Sequence, residues 1–216
     1  MRKLLFAVIF CCLAISAFAA STKIETISKP ADSPVPETVW QALEQNGYRV
    51  VFDDSRVACD LWLRKAVPSS NVKETEGALY PQLLPSTMVG LISFPKAATD
   101  YRGEAIKPGF YTLRYVLLPN DGNHLGVAPN RDFLLLIPVA SDPDPNAQFK
   151  YQELINLSRK ATGTQHPGPL SMVGAGAAVP GISQDDQEHW IFSAKLTLVS
   201  GEAIPFGLIV KGTAPQ

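Results

Sequence analysis

The feature that most constrains this chain is a side-chain period of two. In the run Arg56-Val57-Ala58-Cys59-Asp60-Leu61-Trp62-Leu63-Arg64, the residues Val57, Cys59, Leu61 and Leu63 share one face. Arg56, Asp60 and Arg64 share the other with Trp62. Such alternation marks a strand with one face on a core. Residues 110–118 repeat it: Tyr111, Leu113, Tyr115 and Leu117 alternate with Thr112, Arg114 and Val116. Further strands are expected over residues 48–52, 88–94 and 133–139, and in a C-terminal hairpin of residues 190–199 and 204–211. Residues 133–139 are nearly all apolar, which predicts burial on both faces. Pro205 predicts a sheet edge at the start of the last strand.

Two short helices are expected among these strands. Pro36 suits a first helical turn, Val39, Trp40 and Leu43 fall on one face, and Gly47 supplies a stop. Asp144 and Pro145 suit a second helix start, and Tyr151, Leu154, Ile155 and Ser158 form a stripe that ends near Gly163. Residues 163–188, rich in Gly, Pro and Ala, read as the longest irregular stretch and a place to look for function. Strands that rarely alternate with helices exclude a doubly wound parallel sheet. The chain is therefore expected to be mainly β, an antiparallel β-sandwich of jelly-roll or immunoglobulin-like general form with two short helices. A closed β-barrel is the alternative.

The N-terminus carries an address. Arg2 and Lys3 precede an uncharged run from Leu4 to Ile15, and Ala17-Phe18-Ala19 has the small residues a signal peptidase reads. Residues 1–19 are expected to be a signal peptide, residues 20–35 a flexible lead-in, and residues 36–216 a single β-rich domain, periplasmic or secreted. The apolar run is too short for a bilayer span, which needs about 20 residues. Removing Arg2 and Lys3 leaves 17 basic residues against 20 acidic ones, a net charge of −3. That balance argues against nucleic acid or an anionic membrane as partner. Cys59 would be the one cysteine left, so no disulfide can form within the exported chain, and its place on an apolar face predicts a core residue.

Candidate chemistry is sparse. His124, His166 and His189 all fall on loops or element ends, where a fold could gather them, with Asp132 nearby, around a divalent transition metal. No pair of them has the tight spacing of a metal motif. Arg131-Asp132 opens an apolar strand and reads as an anion clamp, an acid/base pair or a local ion pair. Trp62, on the polar side of its strand, could stack on a sugar ring or pack beneath the helix at Trp40. There is no G-x-S-x-G, and Gly174-Ala175-Gly176-Ala177-Ala178 lacks the ending of a phosphate loop.

The run Gly103-Glu104-Ala105-Ile106-Lys107-Pro108-Gly109-Phe110-Tyr111-Thr112-Leu113 resembles a G-x-x-I-x-P-G-x-Y-x-L element of secreted, β-rich bacterial proteins of domain-of-unknown-function type. The resemblance covers residues 101–139 and implies an exported β-rich domain, with no catalytic residues to carry over. The expected function is that of a non-catalytic module, without a cofactor, that binds a small ligand, a glycan or an envelope protein. The alternative is a metal-binding protein or metal-dependent enzyme built on the three histidines.

Overall fold

A computed structural model describes residues 22–52, 54–119 and 130–214. The signal-peptide segment and His124 lie outside these residues. Two helices, α1 (Glu37–Ala42) and α2 (Tyr151–Thr162), accompany twelve strands. In chain order the strands are β1 (Lys23–Ser28), β2 (Asn46–Val51), β3 (Val57–Leu63), β4 (Met88–Phe94), β5 (Ala98–Thr99), β6 (Ala105–Ile106), β7 (Gly109–Leu117), β8 (Asp132–Pro138), β9 (Pro169–Val173), β10 (Gly181–Gln184), β11 (Trp190–Thr197) and β12 (Ala203–Lys211). Ten of them form one sheet in the order β1-β2-β3-β4-β7-β8-β9-β12-β11-β10, and every pairing is antiparallel. β5 and β6 form a separate hairpin. The outermost strands β1 and β10 come back beside one another, so the chain is mainly β and antiparallel, arranged as a nearly closed barrel rather than two stacked layers.

Closure follows from the alternation. Cys59, Leu61 and Leu63 of β3, Tyr111, Leu113 and Tyr115 of β7, and Phe206, Leu208 and Val210 of β12 all point into one buried cluster that fills the interior. Every principal strand has an apolar inner face, so rolling the sheet buries them together and leaves few free edges. The outer face is covered in patches. α1 lays Val39, Trp40 and Leu43 over Trp62, Met88 and Leu91. α2 lays Leu154 over Val116, Leu135 and Ile137. Tyr101, Phe133 and Ile209 form a third patch. Leu134 and Leu136 face inward and Phe133, Leu135 and Ile137 outward, so β8 is buried on both sides as its composition predicts.

Several expectations are corrected. Residues 20–35 contain β1, paired with β2 from Lys23↔Val51 to Ser28↔Asn46. It is an edge strand, so only Ile24 and Ile27 are needed to seat it and its other side chains stay polar. Gly47 does not stop α1, which ends at Ala42. It lies in β2, where a Cβ would stand 2.5 Å from the Leu61 carbonyl oxygen and 2.6 Å from the Trp62 indole nitrogen. The stretch 163–188 supplies β9 and β10. β12 is an interior strand, but its ladder with β9 covers only Gly207 and Leu208, so Pro205 lies clear of that pairing. α2 ends as expected, with Gly163 in the left-handed region at φ 72°.

Candidate functional site

The ends of a barrel are where strand termini and loops can leave a cavity. Here each end is plugged by a connection. At the first end, the β5–β6 hairpin joins β4 to β7 and drives Ile106 into the interior cluster. Asp100 holds the hairpin turn. Its Oδ1 accepts the Arg102 and Glu104 N–H groups, both at 2.9 Å. Its Oδ2 is buried without a partner. Burial pushes the Asp100 carboxyl up to about 6, against the pull of those two N–H groups and of the Arg102 charge.

Between this hairpin and the β2–β3 turn lies an open cavity of about 490 Å³. Its floor is apolar: Phe94 and Val210 are buried members of the interior cluster, and Val57 and Phe52 are half-buried beside them. Ala58, Ala97, Ala98 and Ala105 line it with little bulk, which leaves the space open. Arg56, Lys96 and Lys211 stand at its rim, and no carboxylate is among its described lining residues. Arg56 is committed to Asp54, whose carboxyl lies below the ordinary range through the Arg56 backbone N–H and then the guanidinium. The Lys211 ammonium rests 4.6 Å from the centre of the Phe52 ring, a cation–π contact at the lip. Phe52 is in turn backed by Trp190 at 5.6 Å.

The second end is closed differently. The β3–β4 connection folds Val67, Tyr80 and Leu83 into the interior. Asp132, fully buried, fastens it: Oδ2 accepts the Leu79 N–H at 2.7 Å, and Oδ1 accepts the Tyr80 N–H at 3.1 Å and the Tyr115 hydroxyl at 2.8 Å. The Tyr80 hydroxyl donates to the Val173 carbonyl, and burial raises it to about 12. A cavity of about 480 Å³ near this end has a polar wall that mixes Glu44 with Arg64, Lys65 and Lys195.

The sequence candidates scatter over this frame. Asp132 and Arg131 do not pair with each other. The Arg131 guanidinium donates to the carbonyls of Leu118, at 2.7 Å, and Glu76. The two residues are fasteners of the same plug rather than an exposed clamp. Trp62 is fully buried, edge-on to Trp40 at 5.2 Å and 89°, so α1 would have to move before a sugar reached it. His166 is exposed beyond α2. His189 is buried in the third outer patch beside Tyr101. Its Nδ1 lies 3.0 Å from an Asp185 carboxylate oxygen and its Nε2 3.0 Å from the Thr213 carbonyl, so both ring nitrogens are engaged. Burial works to raise Asp185, yet the His189 backbone and ring and the Gln187 N–H together hold it below the ordinary range. Among the described residues no three His, Cys, Asp or Glu side chains gather closely enough to hold a metal. Cys59 is buried inside the barrel, where desolvation pushes its thiol strongly up.

Sequence reasoning missed the most elaborate polar cluster. Arg114 faces outward from β7 yet is fully buried. Its Nε and Nη2 donate to the two Asp142 oxygens, each at 2.7 Å, and the remaining donors reach the carbonyls of Ser86, Asp144 and Ala147. Thr112 donates to the same carboxylate at 2.5 Å. Arg64 adds bonds to the Pro145 carbonyl and the Asn146 side chain, both at 2.7 Å. Residues 142–149 are thereby drawn across the sheet in irregular form, which is why α2 starts at Tyr151 rather than at Asp144. The prolines at 143 and 145 carried the signal: they keep this backbone out of a helix, and its free carbonyls then need donors.

The fold and the first-end cavity define an antiparallel β-barrel domain with a lined mouth. No family model, curated protein or solved structure matches the chain. No helix among the described residues is long and apolar enough to cross a membrane.

Proposed function

We propose that this protein is an exported, non-catalytic binding module that seats a small ligand in the mouth between the β5–β6 hairpin and the β2–β3 turn. The observation that carries the reading is the cavity of about 490 Å³ with a floor of Phe94, Val57 and Val210. Its volume falls in the range of small-molecule sites, roughly 300–1,000 Å³. Apolar surface left open at such a place recovers burial energy only when something fills it. The two most buried polar clusters elsewhere are committed to holding a segment in place: Asp132 and Arg131 to one plug, Arg114 and Asp142 to the α2 approach. The signal-peptide pattern of residues 1–19, Arg2 and Lys3 before an uncharged run that ends in Ala17-Phe18-Ala19, supports the exported part of this reading.

A neutral apolar dye tests the reading. N-phenyl-1-naphthylamine titrated into the purified protein should brighten and saturate at one equivalent. Ala97, exposed at the cavity wall, can be changed to Trp without disturbing a core contact. Ala97→Trp should abolish the saturable signal. A signal that is absent in the parent protein, or unchanged in Ala97→Trp, rejects this seat.

A further inference from the structure

We propose that the ligand of this mouth is an amphipathic anion: an alkyl chain ending in a carboxylate or a phosphate monoester. The inference rests on the ligand-binding reading above and adds the chemistry of what is bound.

Depth and charge divide the cavity into two zones. The floor, Phe94 and Val210, belongs to the buried apolar interior of the barrel, and the alanine side chains above it offer no hydrogen-bonding group. Thr99 is the one neutral polar side chain among the described residues of the lining. A glycan, which needs many donors and acceptors, would leave most of its hydroxyls unanswered there. A chain of methylenes meets no such penalty and removes its own apolar surface from water.

The rim carries the opposite chemistry. Lys96 and Lys211 are exposed, and Arg56 stands beside them. Among the described residues Asp54 answers Arg56, and the lining supplies no carboxylate to the two ammonium groups. Lys211 is held over the Phe52 ring at the boundary between the zones, and no acidic partner is recorded for Lys96 among the described residues. Without residues 1–19 the chain has 17 basic and 20 acidic residues, so the cationic side chains at this rim run against the whole. Such a patch draws an anion toward the opening, and a cation would be repelled from it. With an apolar floor and a cationic rim, the arrangement complements one polarity of amphiphile: tail inward, negative head outward.

The test compares heads on one chain. The purified protein is titrated by calorimetry with decanoate, decyl phosphate, decanol and decyltrimethylammonium, each below its aggregation limit. Decanoate or decyl phosphate should bind about tenfold tighter than decanol, and decyltrimethylammonium weakest of all. Whichever anion wins identifies the head as carboxylate or phosphate. In Lys96→Met/Lys211→Met the anion-to-alcohol ratio should fall below about threefold, while Lys195→Met, at the opposite end, should leave it unchanged. Raising the salt concentration should shrink the ratio in the parent protein. Equal affinity for decanoate and decanol, or a ratio that survives the double substitution, overturns the inference. If the neutral dye still binds in that case, the mouth remains a ligand site of a different chemistry. If neither dye nor amphiphile binds, the ligand-binding reading falls with it.

Discussion

The two ends of the barrel solve one problem in two ways. Each is stoppered by a connection between strands, and in each a buried carboxylate grips backbone N–H groups of the stopper. Asp132 is answered at both oxygens by Leu79, Tyr80 and Tyr115. Asp100 is answered at one oxygen only, and the other is buried with nothing to accept. The β3–β4 plug brings Val67, Tyr80 and Leu83 into the interior, whereas the β5–β6 plug brings Ile106 and leaves an apolar-floored gap beside it. A carboxylate whose lone pairs are filled holds its segment firmly. One that is half satisfied keeps part of its desolvation cost uncompensated. On the proposed reading, the firm end is structural and the looser end carries the ligand.

Breaking the firm end should give the largest effect. Asp132→Ala strands two backbone N–H groups in the interior, leaves the Tyr115 hydroxyl only the Tyr80 carbonyl at 3.4 Å, and opens a void beneath the β3–β4 connection. Loss of roughly 3–5 kcal/mol is expected, a fall in Tm of about 10 °C. Thermal unfolding by circular dichroism measures it, and a fall of only a degree or two would show that Asp132 does not fasten this end. Tyr115→Phe removes one of the three donors and keeps the ring. Burial and the Asp132 charge raise that hydroxyl far above its ordinary value, so it donates and does not ionise. Its removal should cost about 1–2 kcal/mol, and combined with Asp132→Ala it should add almost nothing, since both changes delete the same bond.

How much of this was readable beforehand depends on the kind of pattern involved. β3, β4 and β7 were legible because each repeats an inward residue every second position, and burial enforces that pattern strongly. β1 and β10 were not, because edge strands carry few core residues: β1 exposes Lys23, Glu25, Thr26 and Ser28. Arg114 sat on the polar side of an alternating strand, and alternation cannot tell that the polar side is itself roofed by residues 142–149. The mouth left no motif at all. Phe52, Phe94, Lys96, Val210 and Lys211 come from the ends of three strands far apart in the chain, and only the strand order brings them together. The sequence offered Arg131 and Asp132 as an anion clamp, an acid/base pair or a local ion pair, whereas they do not pair and each fastens the β3–β4 connection instead. For Trp62 it offered a sugar ring to stack on or packing beneath the helix at Trp40, and the indole packs there, edge-on to Trp40.

The smallest expected effect is also the one with opposite sign. Asp100 has its carboxyl pushed up to about 6 by burial, while in an unfolded chain it would titrate near 3.9. As pH falls through 6 the folded protein takes up a proton that the unfolded chain does not, so acidification favours the fold through this group. Its stabilising contribution is complete below about 3.9 and is lost as pH rises through 6. Asp100→Asn is neutral at every pH and keeps an oxygen for the Arg102 and Glu104 N–H groups. At pH 8 it should therefore be more stable than the parent by about 1 kcal/mol, a rise in Tm of roughly 2–4 °C. The advantage should shrink as pH drops below 6 and vanish near pH 4. Paired melting curves at pH 8, 6 and 4.5 decide it. A gap that ignores pH, or a less stable variant at pH 8, would mean that Asp100 is as well satisfied as Asp132 and that the two ends are not the contrast drawn between them.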